Sequence, residues 1–239
     1  MKKNILVISD GNGVDTDFKK WPFYLKLLTT KTSNIINKSV IGAGNEFIFM
    51  QLADTLTNEK IDYAVIQWSI PNRLDVVSSD FWCEQAVNDK IYHFNLHDCA
   101  GQKWWVSSAS KNEFVRTYHN LYVRNWQAQQ RTQSLMLSAA ELLKYHNIDF
   151  VFSLAYEMQF TAPTKDVLST YPWVWHEEHK GLSEYRRVSK FSNLDTGLPQ
   201  PHTLIQLDWI NTVLKPACHF IDFDYTSYYN IENHLLKNV

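Results

Sequence analysis

Ser9, Asp10 and Asn12 interleave with Gly11 and Gly13 directly after the apolar run Ile5 to Ile8. Gly42, Gly44 and Asn45 follow a second apolar stretch, and Trp68, Ser69, Asn72 and Arg73 follow or close a third. Only 7 of the 239 residues are Gly, and four of them lie in these first two loops. Side chains that attack, accept protons or donate hydrogen bonds thus sit beside backbone free to turn sharply. Such loops can aim a hydroxyl and several backbone N–H groups at an acyl carbon or an anion. The G-x-G segments have neither the G-x-x-x-x-G-K-[ST] nor the G-x-G-x-x-G spacing, so nucleotide cradling is weakly supported. Arg73 is the cation expected to face a pocket, holding an anionic ligand or pairing with Asp10, with a surface ion pair as the alternative.

Other residues have suitable chemistry but poor spacing. His93-x-x-x-His97-Asp98-Cys99 has zinc-ligand types, yet Ile91 to Leu96 alternates like a strand, which separates the imidazoles along one face. His176-Glu-Glu-His179 lies in a charged loop with the same weakness. No metal and no cofactor is expected. Trp104-Trp105 and Trp173-Val-Trp175 could stack on sugar rings or bases, although most aromatic residues are expected to be core or loop anchors.

The elements that would position the three loops alternate between strand and helix. Strands are expected at 5–8, 35–41, 63–68 and 149–154, with a last one at 219–223. Helices are expected at 21–28, with Pro22 in the first turn, and at 46–56, 112–146 and 202–214. Asn147 is the expected stop of the third helix and Pro216 of the fourth. This alternation predicts an α/β fold with a parallel sheet, whose ligands gather beyond the carboxyl ends of the strands. The loops at 9–13, 42–45 and 68–73 all fall there. Residues 1–239 read as one domain, with insertions near 76–110 and 161–195.

Composition removes several classes. With 45% hydrophobic and 20% charged residues the chain can bury a core, which excludes disorder and low complexity. A net charge of −2 leaves no excess to neutralise phosphates, so general nucleic-acid binding is not expected. The apolar run after Lys2-Lys3 is too short for a signal peptide, and no stretch nears a membrane span. Cys83, Cys99 and Cys218 are odd in number and widely spaced, which suits a reducing, cytoplasmic setting.

The ordered blocks Ser9-Asp10-Gly11-Asn12-Gly13, Trp21-Pro22, Ser39-Val-Ile-Gly42-Ala-Gly44-Asn45-Glu46 and Val65-Ile-Gln67-Trp68-Ser69-Ile-Pro-Asn72-Arg73, then Gln200-Pro201-His202 with Gln206 and Trp209, resemble the SGNH (GDSL-like) hydrolase superfamily. Trp-Ser followed by Arg in the third block is similar to divergent, often virus-encoded members. The resemblance implies a three-layer flavodoxin-like sandwich with a central parallel sheet of about five strands. It also implies ester hydrolysis, often on acylated carbohydrates or lipids. The family's nucleophilic Ser aligns with Gly11, and its base His aligns with Gln200 or Leu198, according to register. The Gly-x-Asn-Asp of block three is absent.

Three readings follow from these departures. The scaffold has lost Ser-His catalysis and binds a small acylated or sugar-like ligand. Or chemistry persists with Ser9 as nucleophile, His202 as base and Asp195 orienting it. Or Asp10 itself acts as base or nucleophile. An interaction protein using the inserted loops is a fourth class. Each catalytic candidate also has a plain structural alternative: a turn hydroxyl for Ser9, a cap for Asp10, a solvent-facing helix start for His202.

Overall fold

A computed structural model of the chain describes residues 2–10, 20–29, 33–40, 43–71, 75–78, 94–95, 103–106, 125–155, 160, 166, 169–170, 181–195 and 201–237. Of the expected site, Gly11, Asn12, Gly42, Asn72 and Arg73 lie outside the described residues, as do the His93/His97 and His176/His179 pairs.

At the centre lies β1 (Lys3–Ile8), paired in parallel with β2 (Ser33–Asn37) on one side and β3 (Tyr63–Trp68) on the other. Outside β3 lies β7 (Asp149–Leu154), also parallel, so the order is β2-β1-β3-β7. β1, β3 and β7 are near-continuous apolar runs because helices cover both faces, whereas the edge strand β2 is half polar. Ile5 and Val7 pack with α1 (Trp21–Leu28) and α5 (Thr203–Trp209) in one core. Leu6 and Ile8 pack with α2 (Asn45–Asn58) and α3 (Asn125–Tyr145) in the other. The crossover from β1 to β2 and the one from β2 to β3 run in opposite directions across the sheet. Right-handed crossovers then require α1 and α2 to lie on opposite faces, which makes three layers.

The expected and observed elements differ in a few places with clear causes. Four parallel strands are found among the described residues where about five are expected. The missing one is 219–223: it forms turns, and only Phe223 bridges, antiparallel to Thr29. Phe220 stacks on Tyr63 at the start of β3 with centroids 4.7 Å apart, and the segment's end is tied to α1, where the Asp224 N–H donates to the Leu28 carbonyl at 2.7 Å. Nor does Pro216 close the last core helix at Leu214. Beyond α5 the helix widens to a π-type segment, Ile210–Leu214, and continues as Lys215–Ala217. Pro216 is at the start of that last segment, where its missing N–H is tolerated.

Asn147 does stop α3, with φ at 56°, a left-handed value that Asn tolerates better than most residues. Between β3 and α3 lie β4 (Asp75–Ser78), β5 (Phe94–Asn95) and β6 (Lys103–Val106), a small antiparallel sheet in the order β4-β6-β5. Two further helices are α4 (Leu182–Tyr185) and α6 (Tyr225–Leu236). Asp224 caps α6 by accepting from the N–H groups of Thr226 and Ser227, a start signal legible in the chain.

Candidate functional site

Strand order reverses between β1 and β3, and in sheets of this kind a crevice opens beyond the carboxyl ends at that point. Ser9 and Asp10 leave β1 there, and Ser69 leaves β3. Asn45 starts α2 beside them. All four are buried, at 0% exposure for Ser9 and 1% for each of the others.

Asn45 is the clasp. Its Oδ1 accepts from the Ser69 N–H at 2.8 Å, while its Nδ2 donates to the Ser69 carbonyl at 3.2 Å and to Thr132 Oγ1 at 2.9 Å. One amide thereby ties the second loop, the third loop and α3 together. Ser69 Oγ in turn donates to Asp10 Oδ2 at 3.2 Å, which joins the first loop. The Ser9 hydroxyl donates to the Asp10 carbonyl at 3.0 Å and lies 3.3 Å from Ser39 Oγ, which can donate in return.

A buried cation completes this edge. Lys20 precedes α1, and its carbonyl accepts from the Phe23 and Tyr24 N–H groups. Burial lowers the pKa of its ammonium below the ordinary value, and the attraction of Asp10 partly opposes this. Next to it Trp21 is held twice. Its backbone N–H donates to Gln206 Oε1 at 2.9 Å, and its indole Nε1 donates to Gln67 Oε1 at 3.2 Å. Gln206 Nε2 donates to the Pro201 carbonyl at 2.8 Å, so the side chain that holds Trp21 also fixes the start of α5.

The remaining expected residues stand as follows. Gly44 is the N-cap of α2 at φ −89°, a value open to any residue. Trp68 is fully buried, edge-on to Phe152 with centroids 5.4 Å apart, on the face covered by α2 and α3. His202 is the N-cap of α5, and its Nδ1 accepts from the Leu204 N–H at 3.3 Å. The Asp195 carboxylate pairs with Arg186 at 3.3 Å. Among the described residues no hydrogen bond joins Ser9 to His202. Ser9, Asp10, Asn45 and Ser69 are thus brought together, while His202 and Asp195 have partners of their own.

Sequence reading alone misses Lys20, Thr132 and Ser153, and meets Ser39, Gln67 and Gln206 only inside the resembling blocks, without a site role. Gln67 and Ser153 carry a usable signal, since each is a lone polar residue near the end of an apolar strand. Among the described residues no three His, Cys, Asp or Glu side chains cluster as metal ligands, and no helix is long and apolar enough to cross a membrane.

The class defined by fold and site is a three-layer α/β protein with a parallel sheet of four described strands and a buried polar site at the carboxyl edge of its central pair. No protein-family model matches the chain, and no curated protein matches it. Among solved structures it is similar to TesA, at 12% identity over 90% of this chain and 99% of that one, with a TM-score of 0.48. It is also similar to a GDSL-like lipase from Bacteroides thetaiotaomicron VPI-5482, at 12% identity over 90% and 87%, with a TM-score of 0.46.

Proposed function

We propose that the chain is a non-hydrolytic, SGNH-like protein that binds a small acylated or sugar-like ligand at the carboxyl edge of β1 and β3. The observation that carries this reading is how the groups of a hydrolytic triad are engaged. A nucleophilic Ser needs its hydroxyl against an imidazole whose other nitrogen is oriented by a carboxylate. Here the Ser9 hydroxyl turns to the Asp10 carbonyl and Ser39, and His202 Nδ1 caps its own helix. Asp195 pairs with Arg186. Nδ1 acting as an acceptor leaves no N–H there for a carboxylate to orient. What supports ligand binding is the placement of Asp10, Asn45 and Ser69 at the point where α/β sheets bind ligands.

The test is a panel of short-chain aryl esters with wild type, Ser9→Ala and His202→Ala. No turnover by any of the three, and no labelling by a serine-directed phosphonate, is the expected result. Turnover that both substitutions abolish would overturn the reading in favour of an active esterase.

A further inference from the structure

On the face covered by α1 and α5, the rung formed by Val7, Val65 and Val151 is apolar and buried, with the polar Asn37 only at its exposed β2 end. Two residues further along each strand, side chains return to the same face. That next rung is entirely polar: Ser39, Ser9, Gln67 and Ser153.

Several contacts place these residues side by side. Gln67 and Ser153 are register partners on β3 and β7, and Ser9 Oγ lies 3.3 Å from Ser39 Oγ. The ladders run on past the strand ends, with the Val40 N–H donating to the Ser9 carbonyl at 3.2 Å and the Ala155 N–H to the Trp68 carbonyl at 2.8 Å. Trp21 Nε1 reaches down from α1 to Gln67 Oε1.

Burial makes the rung informative. Gln67 is 0% and Ser153 2% exposed, yet Gln67 Nε2 and Ser153 Oγ have no hydrogen-bond partner among the described residues. Polar atoms in such a place destabilise a fold unless something bonds them. Nε2 can only donate, whereas a hydroxyl both donates and accepts. A group that accepts from the amide and donates to the Ser oxygen satisfies both, and an alcohol hydroxyl does this.

We infer that this rung is the floor of the ligand site and seats a hydroxyl group of a sugar or polyol between Gln67 Nε2 and Ser153 Oγ. The inference rests on the ligand-binding reading above and narrows its ligand to a hydroxyl-bearing one. A bound water offers the same chemistry, so the test must separate the two.

The experiment uses the full chain, with methyl glucoside, N-acetylglucosamine and glycerol as probes in saturation-transfer NMR and titration, and thermal unfolding without ligand. The variants are Ser153→Ala and Ser153→Val. The first deletes the hydroxyl, and the second extends the valine row into the seat. Wild type binds at least one probe, both variants bind it about tenfold or more weakly, and their ligand-free Tm is unchanged or higher. Binding by both variants within about threefold of wild type would overturn the inference. So would a lower ligand-free Tm in Ser153→Ala, because the hydroxyl would then serve the fold through water. No probe binding by wild type overturns the hydroxyl seat and leaves the non-hydrolytic reading to its ester panel. Ester turnover together with Ser153-dependent binding overturns that reading and keeps the seat.

Discussion

Two buried polar clusters lie on the α1/α5 side of the sheet, and their hydrogen bonds close differently. Between α4, α5 and α6, Asp208 accepts from the Tyr185 hydroxyl at 2.9 Å and from Ser189 Oγ at 2.6 Å. Nearby, Tyr228 donates to Glu232 at 3.0 Å, and Lys190 pairs with the same carboxylate at 2.5 Å. Each of these donors meets an acceptor, so the cluster latches three helices together. The rung at the carboxyl edge holds residues as deeply buried, but Gln67 Nε2 and Ser153 Oγ have no such partner. Buried polar groups that are mutually satisfied rigidify a fold, whereas groups with remaining hydrogen-bonding capacity mark where something else can bind. The comparison assigns the first cluster to stability and the second to the ligand.

The largest test of this contrast is Asp208→Ala. It removes the acceptor shared by the Tyr185, Ser189 and Thr212 hydroxyls, and a loss of about 3–4 kcal/mol in urea unfolding is expected. A loss below about 1 kcal/mol would break the contrast at the latch. Asn45→Ala comes next. It removes the clasp from the Ser69 N–H and from Thr132, for an expected loss of about 2–3 kcal/mol in the same assay. The site's loops are then fixed by a closed network while its floor stays open, which sharpens the comparison within the site itself.

The latch also carries a pH signature. Burial, with Asp208 adding to it, pushes the Tyr185 hydroxyl from 10.0 up to about 12. The unfolded chain therefore releases this proton first as pH rises. Its contribution is fully present below pH 10.0 and is lost on the way to about 12. The amount is on the order of 2 kcal/mol. Burial raises the pKa of Tyr24, Tyr228 and the Cys218 thiol as well, so these groups add to the same alkaline loss. Tyr185→Phe should make the decline of stability above pH 10 shallower without abolishing it, as followed by denaturant midpoints across pH. An unchanged slope would remove Tyr185 from the latch. The smallest effect is expected from His202→Ala, about 0.5–1 kcal/mol in thermal unfolding, which is the loss of a helix cap. A much larger loss would mean that the imidazole holds more than its own helix.

Much of the architecture was legible in the chain. Apolar runs such as Ile5 to Ile8 and Tyr63 to Trp68 are buried on both faces, so they mark central parallel strands without any partner being known. The helix starting at Trp21-Pro22 follows from the fixed φ of proline. His219 to Phe223 misleads because Phe220, Ile221 and Phe223 are apolar enough for a strand, and a turn packed on α1 and Tyr63 buries such residues as well as a strand does. At the site, Asp10, Asn45 and Ser69 were picked out through their neighbouring glycines and block order. Lys20 lies just before the Trp21-Pro22 block, but nothing local marks its side chain as buried, and its place beside Asp10 depends on where α1 starts.

What the sequence by itself determined is local: where most strands and helices run, that the strands are parallel, and which loops follow their carboxyl ends. Period and turn chemistry are properties of a few neighbouring residues, so they can be read one segment at a time. Only the tertiary structure decided which polar side chains share a bond and which remain open. The Trp21 N–H and Gln206 are 185 residues apart, and Asn45 and Thr132 are 87 apart. Gln67 and Ser153 become one polar rung only when β3 and β7 pair. Hydrogen bonding depends on distances of about 3 Å, and separations along the chain do not encode these until packing closes them.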